Sequence, residues 1–427
     1  MMGSRFLVFF SLVLMTPVLW GAEAKNRVAT PELKSTDTLT LEQAEKIALE
    51  TDPVMQQLRE RGEAMRLNAK AARKLPDPRL MVGVMALPTS TYSLNEEDMT
   101  QQVIGLSQMV PPWGKRKHES LRMQLLGGAE QADAQDRLLT VIQNVRNAWL
   151  EVHMNFQSVV LVRKSLVEFS QLVKITQNEY RVGRRTQADV LAAELELTLM
   201  KDRELSMVQA QERALAGLNR WLGFSSVPRK LDVYFPQFAE VKPLPVLAKA
   251  IEKHPKILSQ LERLKAAQEG VKMARAEYFP GLSIDLLYGK REGDRSDMLS
   301  AQIGIDIPIN FLSKQGSLVA SSRQEVLAEE NAVREAHRQL LEVLESEYAT
   351  WLKLGERIEQ YQKRVIPQAA NSAEAALRAY QSGEIDFPDV VRARLMSLES
   401  AMNELNLRVQ RVKAQVYLLY IAGERSL

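Results

Sequence analysis

Apolar residues near the end of the chain recur at alternating steps of four and three: Val391, Leu395, Leu398, Met402, Leu405, Val409, Val412, Val416 and Leu419. A 3.5-residue period held this long is a heptad seam and predicts a helix packed as in a coiled coil. Two earlier stretches have the same helical character. From 115 to about 180 nothing forbids one helix of roughly 60 residues, or about 90 Å. A second runs from 186 to 222, stopped at Gly223. Near the start, Thr40 with Gln43 reads as a capping box. The helix it opens should run from 41 toward 75, kinked at Pro53, until Pro76-Asp77-Pro78 ends it.

Between these helices the period changes to two. Leu80, Val82, Val84 and Ala86 share one face of a strand over 79–86. In 101–110, Gln102, Ile104 and Leu106 oppose Val103, Gly105 and Ser107, and a polar loop through Glu96, Glu97 and Asp98 makes a hairpin of the two runs. A second hairpin follows, over 282–288 and 301–308. In it Ala301, Ile303, Ile305 and Ile307 face one way, and Gln302, Gly304 and Asp306 the other. A globular sheet would bury that apolar face under helices. A membrane barrel would give it to lipid and turn Asp285 and Asp306 to a wet lumen. Alternation alone fits both.

The elements occur twice. Tyr180-Arg181-Val182-Gly183 and Thr186-Gln187-Ala188-Asp189-Val190 return 200 residues later as Tyr380-Gln381-Ser382-Gly383 and Asp386-Phe387-Pro388-Asp389-Val390. Pro53 and Pro255, Pro78 and Pro280, and Trp149 and Trp351 are each 202 apart. The chain therefore reads as a duplication: a first repeat over 39–223, a linker over 224–244, and a second repeat over 245–427. Each long helix pair turns at a glycine tip, Gly183 or Gly383.

Composition removes most chemistries. In 427 residues there is no cysteine, so disulfides, thiolate catalysis and cysteine metal sites are excluded. His118, His153, His254 and His337 lack ligand spacing, and no phosphate loop or nucleophile elbow is present. No catalytic residue, metal ligand or cofactor site is expected. A net charge of +3 is too balanced for a nucleic-acid partner. Arg5, the apolar run from Phe6 to Leu19 and Ala22-Glu23-Ala24 read as a secretory signal over 1–24, cut after Ala24, with a flexible tail over 25–38. No later stretch has the roughly 18 apolar residues of a membrane helix, so the exported protein should be periplasmic or a membrane β-barrel.

The signal peptide, the duplicated helix–hairpin–helix-pair units and the Tyr-x-x-Gly tips together resemble the TolC family of outer-membrane efflux channels. The resemblance covers about 39–423. It implies a mainly α protomer with a membrane β-hairpin pair, three copies closing a 12-stranded β-barrel above a coiled-coil α-helical barrel. It also implies a homotrimer in the outer membrane of a Gram-negative bacterium, a periplasmic adaptor, an inner-membrane transporter of RND type, and outer-membrane lipid as partners. Leu75-Pro76-Asp77-Pro78, Met99-Thr100, Gly105-Leu106-Ser107-Gln108, Pro111-Pro112 and Gly114-Lys115-Arg116 look like the CzcC/CusC-like heavy-metal branch, although members of that branch that are lipoproteins carry a cysteine absent here. Heavy-metal cations are therefore the expected cargo. Organic drugs, type I secretion substrates, or a periplasmic coiled-coil adaptor are the alternatives.

The family's pore constriction is matched at Tyr380, Gly383 and Asp389, while Ile385 and Arg392 replace an Arg and an Asp of its pattern. The expected aperture comprises Tyr380, Gly383, Glu384, Asp386, Asp389, Arg392 and Arg185, the last supplying the missing cation to Asp386, Glu384 or Asp389. The adaptor should dock on Tyr180, Arg181, Val182, Gly183, Gln381, Ser382 and Gly383. Solvated loop charges, each pair worth about 0–1 kcal/mol, are the plain alternative.

Overall fold

The computed structural model describes residues 39–223 and 235–424. The expected signal peptide, the tail and residues 224–234 of the linker lie outside them. Thr40 caps α1 (Leu41–Thr51) as a capping box: its Oγ1 accepts from Gln43 N at 3.3 Å and its own N donates to Gln43 Oε1 at 3.1 Å. The expected kink at Pro53 is a full break. Asp52 adopts an extended conformation and starts a new helix, α2 (Pro53–Ala72). Residues before proline are pushed out of the helical region, and Asp52 can cap Met55 N at 2.7 Å.

Strands β1 (Arg79–Met85) and β2 (Gln101–Val110) lead into α3 (Lys115–Arg181), whose 67 residues make a rod of about 100 Å. Next, α4 (Gln187–Leu222) runs back. The second half follows the same order. It comprises α5 (Leu244–Ile251), α6 (Pro255–Ala276), β3 (Gly281–Lys290), β4 (Met298–Asp306), α7 (Gly316–Gln360), α8 (Ile366–Ser382) and α9 (Phe387–Ala422). Ala86 and Ile307, expected inside strands, lie just beyond them, Ala86 with φ of 53°. The run into the second tip is not uninterrupted. A π turn at Tyr361–Val365 joins α7 to α8. Pro367 cannot donate to the carbonyl four residues back, and the wider turn accommodates its ring.

The four strands form one antiparallel sheet in the order β1-β2-β3-β4. Register places Leu80, Leu106, Leu286 and Ala301 in one row, and Val82, Ile104, Tyr288 and Leu299 in the next. That apolar face is exposed along its whole width. The opposite face carries Gly83, Gly105, Ser107, Asp285, Gln302 and Gly304. Among the described residues no helix covers the apolar side.

Helices stand side by side rather than around a centre. Near the sheet the order is α2-α3-α6-α7, and towards the tips α4-α3-α9-α7/α8. The short helices brace the middle. Leu41, Ala44 and Ala48 of α1 pack on Val141, Val145, Trp149 and Val152 of α3. Leu247 and Ile251 of α5 pack on Leu340, Leu344, Leu418 and Ile421. In the α9 seam, Val391, Leu398, Leu405, Val409, Val416 and Leu419 are buried and the other three positions are half-buried.

Candidate functional site

Both tips are the same turn built twice. At the first, Gly183 N donates to Tyr180 O at 2.9 Å and Arg184 N to Glu179 O at 2.9 Å; at the second, Gly383 N donates to Tyr380 O at 3.2 Å and Glu384 N to Ala379 O at 2.8 Å. These crossed bonds close a helix only when the turning residue is left-handed, which glycine allows. Gly183 has φ of 77° and Gly383 of 87°.

The copies then diverge. Asp189 completes a capping box with Thr186, accepting from its N at 3.0 Å. At the second tip Asp386 stands at the cap with its side chain 90% exposed and makes no cap bond. Asp389, the copy of Asp189, instead accepts from Arg392 at 3.1 Å, an exposed pair along one helix. Glu384 accepts from Ser382 Oγ at 3.0 Å.

Arg185 joins the two tips. Its Nη2 donates to Tyr380 O at 2.6 Å and to Ile385 O at 3.0 Å, and its guanidinium lies 4.1 Å from the centre of the Tyr380 ring. Tyr380 O is among the last carbonyls of α8, where the helix dipole favours a cation. Asp386 is the nearest of the three expected carboxylates, at 3.8 Å, and contributes little beside the carbonyls because water screens it. Asp389 and Glu384 are held elsewhere.

Tyr380 is fully buried. Its hydroxyl donates to Thr176 Oγ1 at 3.3 Å and its ring meets Phe387 edge-on at 6.0 Å. Burial, the larger influence, raises its pKa. Beneath it Phe169, Leu172, Val390 and Leu398 form an apolar core from α3 and α9. Tyr180, its copy, is 46% exposed. Arg181, Val182, Gly183, Gln381, Ser382 and Gly383 are exposed at the two turns, with nothing within 4 Å of a Cβ built on either glycine. Thr176 and Phe387 escaped sequence reasoning. Phe387 could be suspected as an apolar residue opening a helix, but nothing distinguishes Thr176 on so long a rod.

The pattern of the outer membrane efflux protein family matches residues 46–224 and again 246–424. The chain belongs to the outer membrane efflux protein family. Its members are channels, so this efflux protein is not an enzyme. Its fold is similar to that of a membrane protein from Pseudomonas aeruginosa, with a TM-score of 0.79 at 17% identity over 90% of both chains. It is also similar to CusC, with a TM-score of 0.74 at 15% identity over 90% of this chain and 92% of that one. In sequence, the fusaric acid resistance protein FusA of Burkholderia cepacia is 25% identical over 190 residues, which span 43% of this chain and 35% of that protein. No helix among the described residues of this efflux protein is long and apolar enough to cross a membrane.

Proposed function

We propose that three copies of this chain form a passive exit duct through the outer membrane, the terminal part of a tripartite pump whose energy comes from an inner-membrane transporter. The observation that supports this most is that every layer ends in open edges. Among the described residues β1 and β4 are edge strands, α2 and α7 bound the helices near the sheet, and α4 and α8 bound those near the tips. Free strand edges and apolar helix faces of this extent call for a partner.

The duplication says which partner. On α4, Leu191, Leu195 and Leu205 are 59%, 58% and 69% exposed. Two hundred residues on, Val391 and Leu405 of α9 are buried and Leu395 is half-buried, packed with α3 residues such as Phe169 and Leu150. The repeat counterpart of α3 is α7–α8. The α4 face of one copy therefore fits the α7–α8 face of the next, and repetition closes a ring. Aspartate at both Leu191 and Leu195 should convert a detergent-solubilised trimer into monomers, read by light scattering. A wild-type chain extracted without detergent, or monomeric in it, would overturn the duct.

In this reading the tips face the periplasm and dock the adaptor, and Arg185 holds each protomer's two tips together. Arg185→Ala should raise single-channel conductance in a planar bilayer. Asp389→Asn should lower cation selectivity and Arg392→Gln raise it, since Arg392 offsets part of the acidic field. Unchanged conductance and reversal potentials in all three would leave the tips as a docking surface only.

Heavy-metal cations remain the proposed cargo on the strength of the branch resemblance. The match to FusA supports an organic acid as the second reading. Growth of a deletion strain on copper, silver, zinc, cobalt and cadmium salts, beside fusaric acid, decides between them.

A further inference from the structure

Each repeat breaks its first helix at a proline, and the residue before that proline caps the helix that follows. In the first repeat this is Asp52, which accepts from Met55 N at 2.7 Å and from Arg137 Nε and Nη2 at 3.2 and 2.8 Å. Its copy 202 residues on is His254, whose Nδ1 accepts from Lys256 N at 3.3 Å as α6 begins. Asp136, the neighbour of Arg137 on α3, serves this second joint. Its Oδ1 lies 3.9 Å from His254 Nδ1 and accepts from the Tyr420 hydroxyl at 2.7 Å. One cap is a carboxylate held by an arginine; the other is an imidazole beside a carboxylate.

The bonds fix the state of the imidazole. Lys256 N–H can only donate, so Nδ1 carries a lone pair. Tyr420 O can only accept, so the single ring proton sits on Nε2, 3.2 Å from it. The side chain is fully enclosed, and the Tyr420 ring meets it edge-on at 4.8 Å. On either side of the joint, α5 and α7 bring apolar Leu247, Ile251, Ala336 and Leu340 against Ile257 and Ile421. The charged groups that act on it are Asp136 of α3 and Lys256 of α6, whose Nζ donates to Gln339 of α7 at 3.1 Å. Glu252 and Lys253, next to it in the chain, are exposed. Burial, the largest influence, pushes the imidazole below the ordinary histidine pKa, with Asp136 opposing.

A second ring proton has no acceptor while the joint is shut. On Nδ1 it would point at the Lys256 N–H, and Asp136 Oδ1 at 3.9 Å is beyond hydrogen-bond reach. Turning the ring towards Asp136 gives up both the helix cap and the Tyr420 carbonyl. We propose that this is an acid-opened joint: as the pH falls His254 takes up a proton from solvent, drops Lys256 N and Tyr420 O, and frees the start of α6 from the end of α9, while the Asp52 joint of the first repeat stays shut. Histidine is the side chain whose ordinary titration falls in weak acid, and the first joint has none. Since α9 runs from the second tip to this joint, acid releases that tip's own helix at its far end.

The test is amide hydrogen exchange of the full chain in detergent, read by mass spectrometry from about pH 7.5 to about pH 5. Rates are expressed as protection factors, so that the intrinsic pH dependence of exchange divides out. An open joint binds a proton more readily than a shut one. Protection over 256–262 and 416–423 should therefore fall by up to about tenfold per pH unit below about pH 6.5. Over 54–60, the matching stretch of the first repeat, it should stay level. His254→Asn keeps an acceptor for Lys256 N and an N–H for Tyr420 O but cannot titrate, and His254→Ser is a second capping residue without a titration. Both variants should lose the pH dependence at 256–262. Level wild-type protection, equal falls in the two repeats, or a fall that persists in either variant would overturn the joint. The contrast between the repeats is read in the wild type and needs no variant to fold.

Discussion

Alanine at Arg146 should destabilise the chain by about 3–5 kcal/mol, the cost of leaving one partner of a buried ion pair alone. Arg146 is 1% exposed, and its Nε donates to Glu45 Oε1 at 2.7 Å. Its guanidinium also lies 5.0 Å from the centre of the Phe238 ring. The contact ties α1 to α3 at mid-height, where Leu41, Ala44 and Ala48 bury against Trp149. Burial is the largest influence on Glu45 and raises its carboxyl above the usual range, with Arg146 opposing by hydrogen bond and charge. A carboxyl raised in the folded state is stabilising while protonated, below its unfolded value, and that stability is lost as pH rises through the folded value. The deficit of Arg146→Ala should therefore shrink as pH falls into the carboxylate range. Removing both charges, as Glu45→Leu with Arg146→Leu, should recover most of the loss. Denaturant melts of the purified protein at two pH values measure this. A single-variant loss below about 1 kcal/mol would show instead that water reaches the pair.

The second large effect concerns the sheet. Ile305→Arg should cost about 2–4 kcal/mol if the site lies near the bilayer midplane, and less towards the boundary. Ile305 is 57% exposed in one chain and continues the apolar row of Val110 and Leu282. Gln302, on the opposite face in the row of Asp285 and Ser107, should accept arginine with little loss. Folding titrations into vesicles compare the two. Equal tolerance would mean that the two faces see the same solvent, and the barrel reading would fall.

Local features survived the passage from sequence to structure. The capping box at Thr40, the strand over 101–110, the long helix over 115–181 and the glycine tips all depend on neighbours within a few residues. Their signals are periodicity, capping side chains and glycine's access to positive φ. Two local features were under-read. Pro53 breaks its helix because Asp52 can cap the next one. Pro367 forces the π turn at Tyr361–Val365, which no apolar pattern announces.

The tips show where sequence reasoning stops. The family resemblance put Arg185 and Tyr380 in one expected aperture, with the arginine paired to a carboxylate, Asp386, Glu384 or Asp389. Its hydrogen bonds go to two backbone carbonyls and its face to an aromatic ring, with Asp386 farther off at 3.8 Å. Carbonyls are common to every residue and leave no mark in the sequence. Which of them becomes available depends on where α8 ends beside the first tip.

The sequence by itself determined the elements, their order and their twofold repetition, because these follow from periods of two and 3.5 and from a copied pattern. Only the tertiary structure decided that Glu45 meets Arg146, that Arg185 reaches across 195 residues to Tyr380, and that the apolar rows of four strands align into one uncovered face. Those contacts join residues whose separation in sequence carries no energy. They form only once the helices stand side by side and the register of the sheet is set.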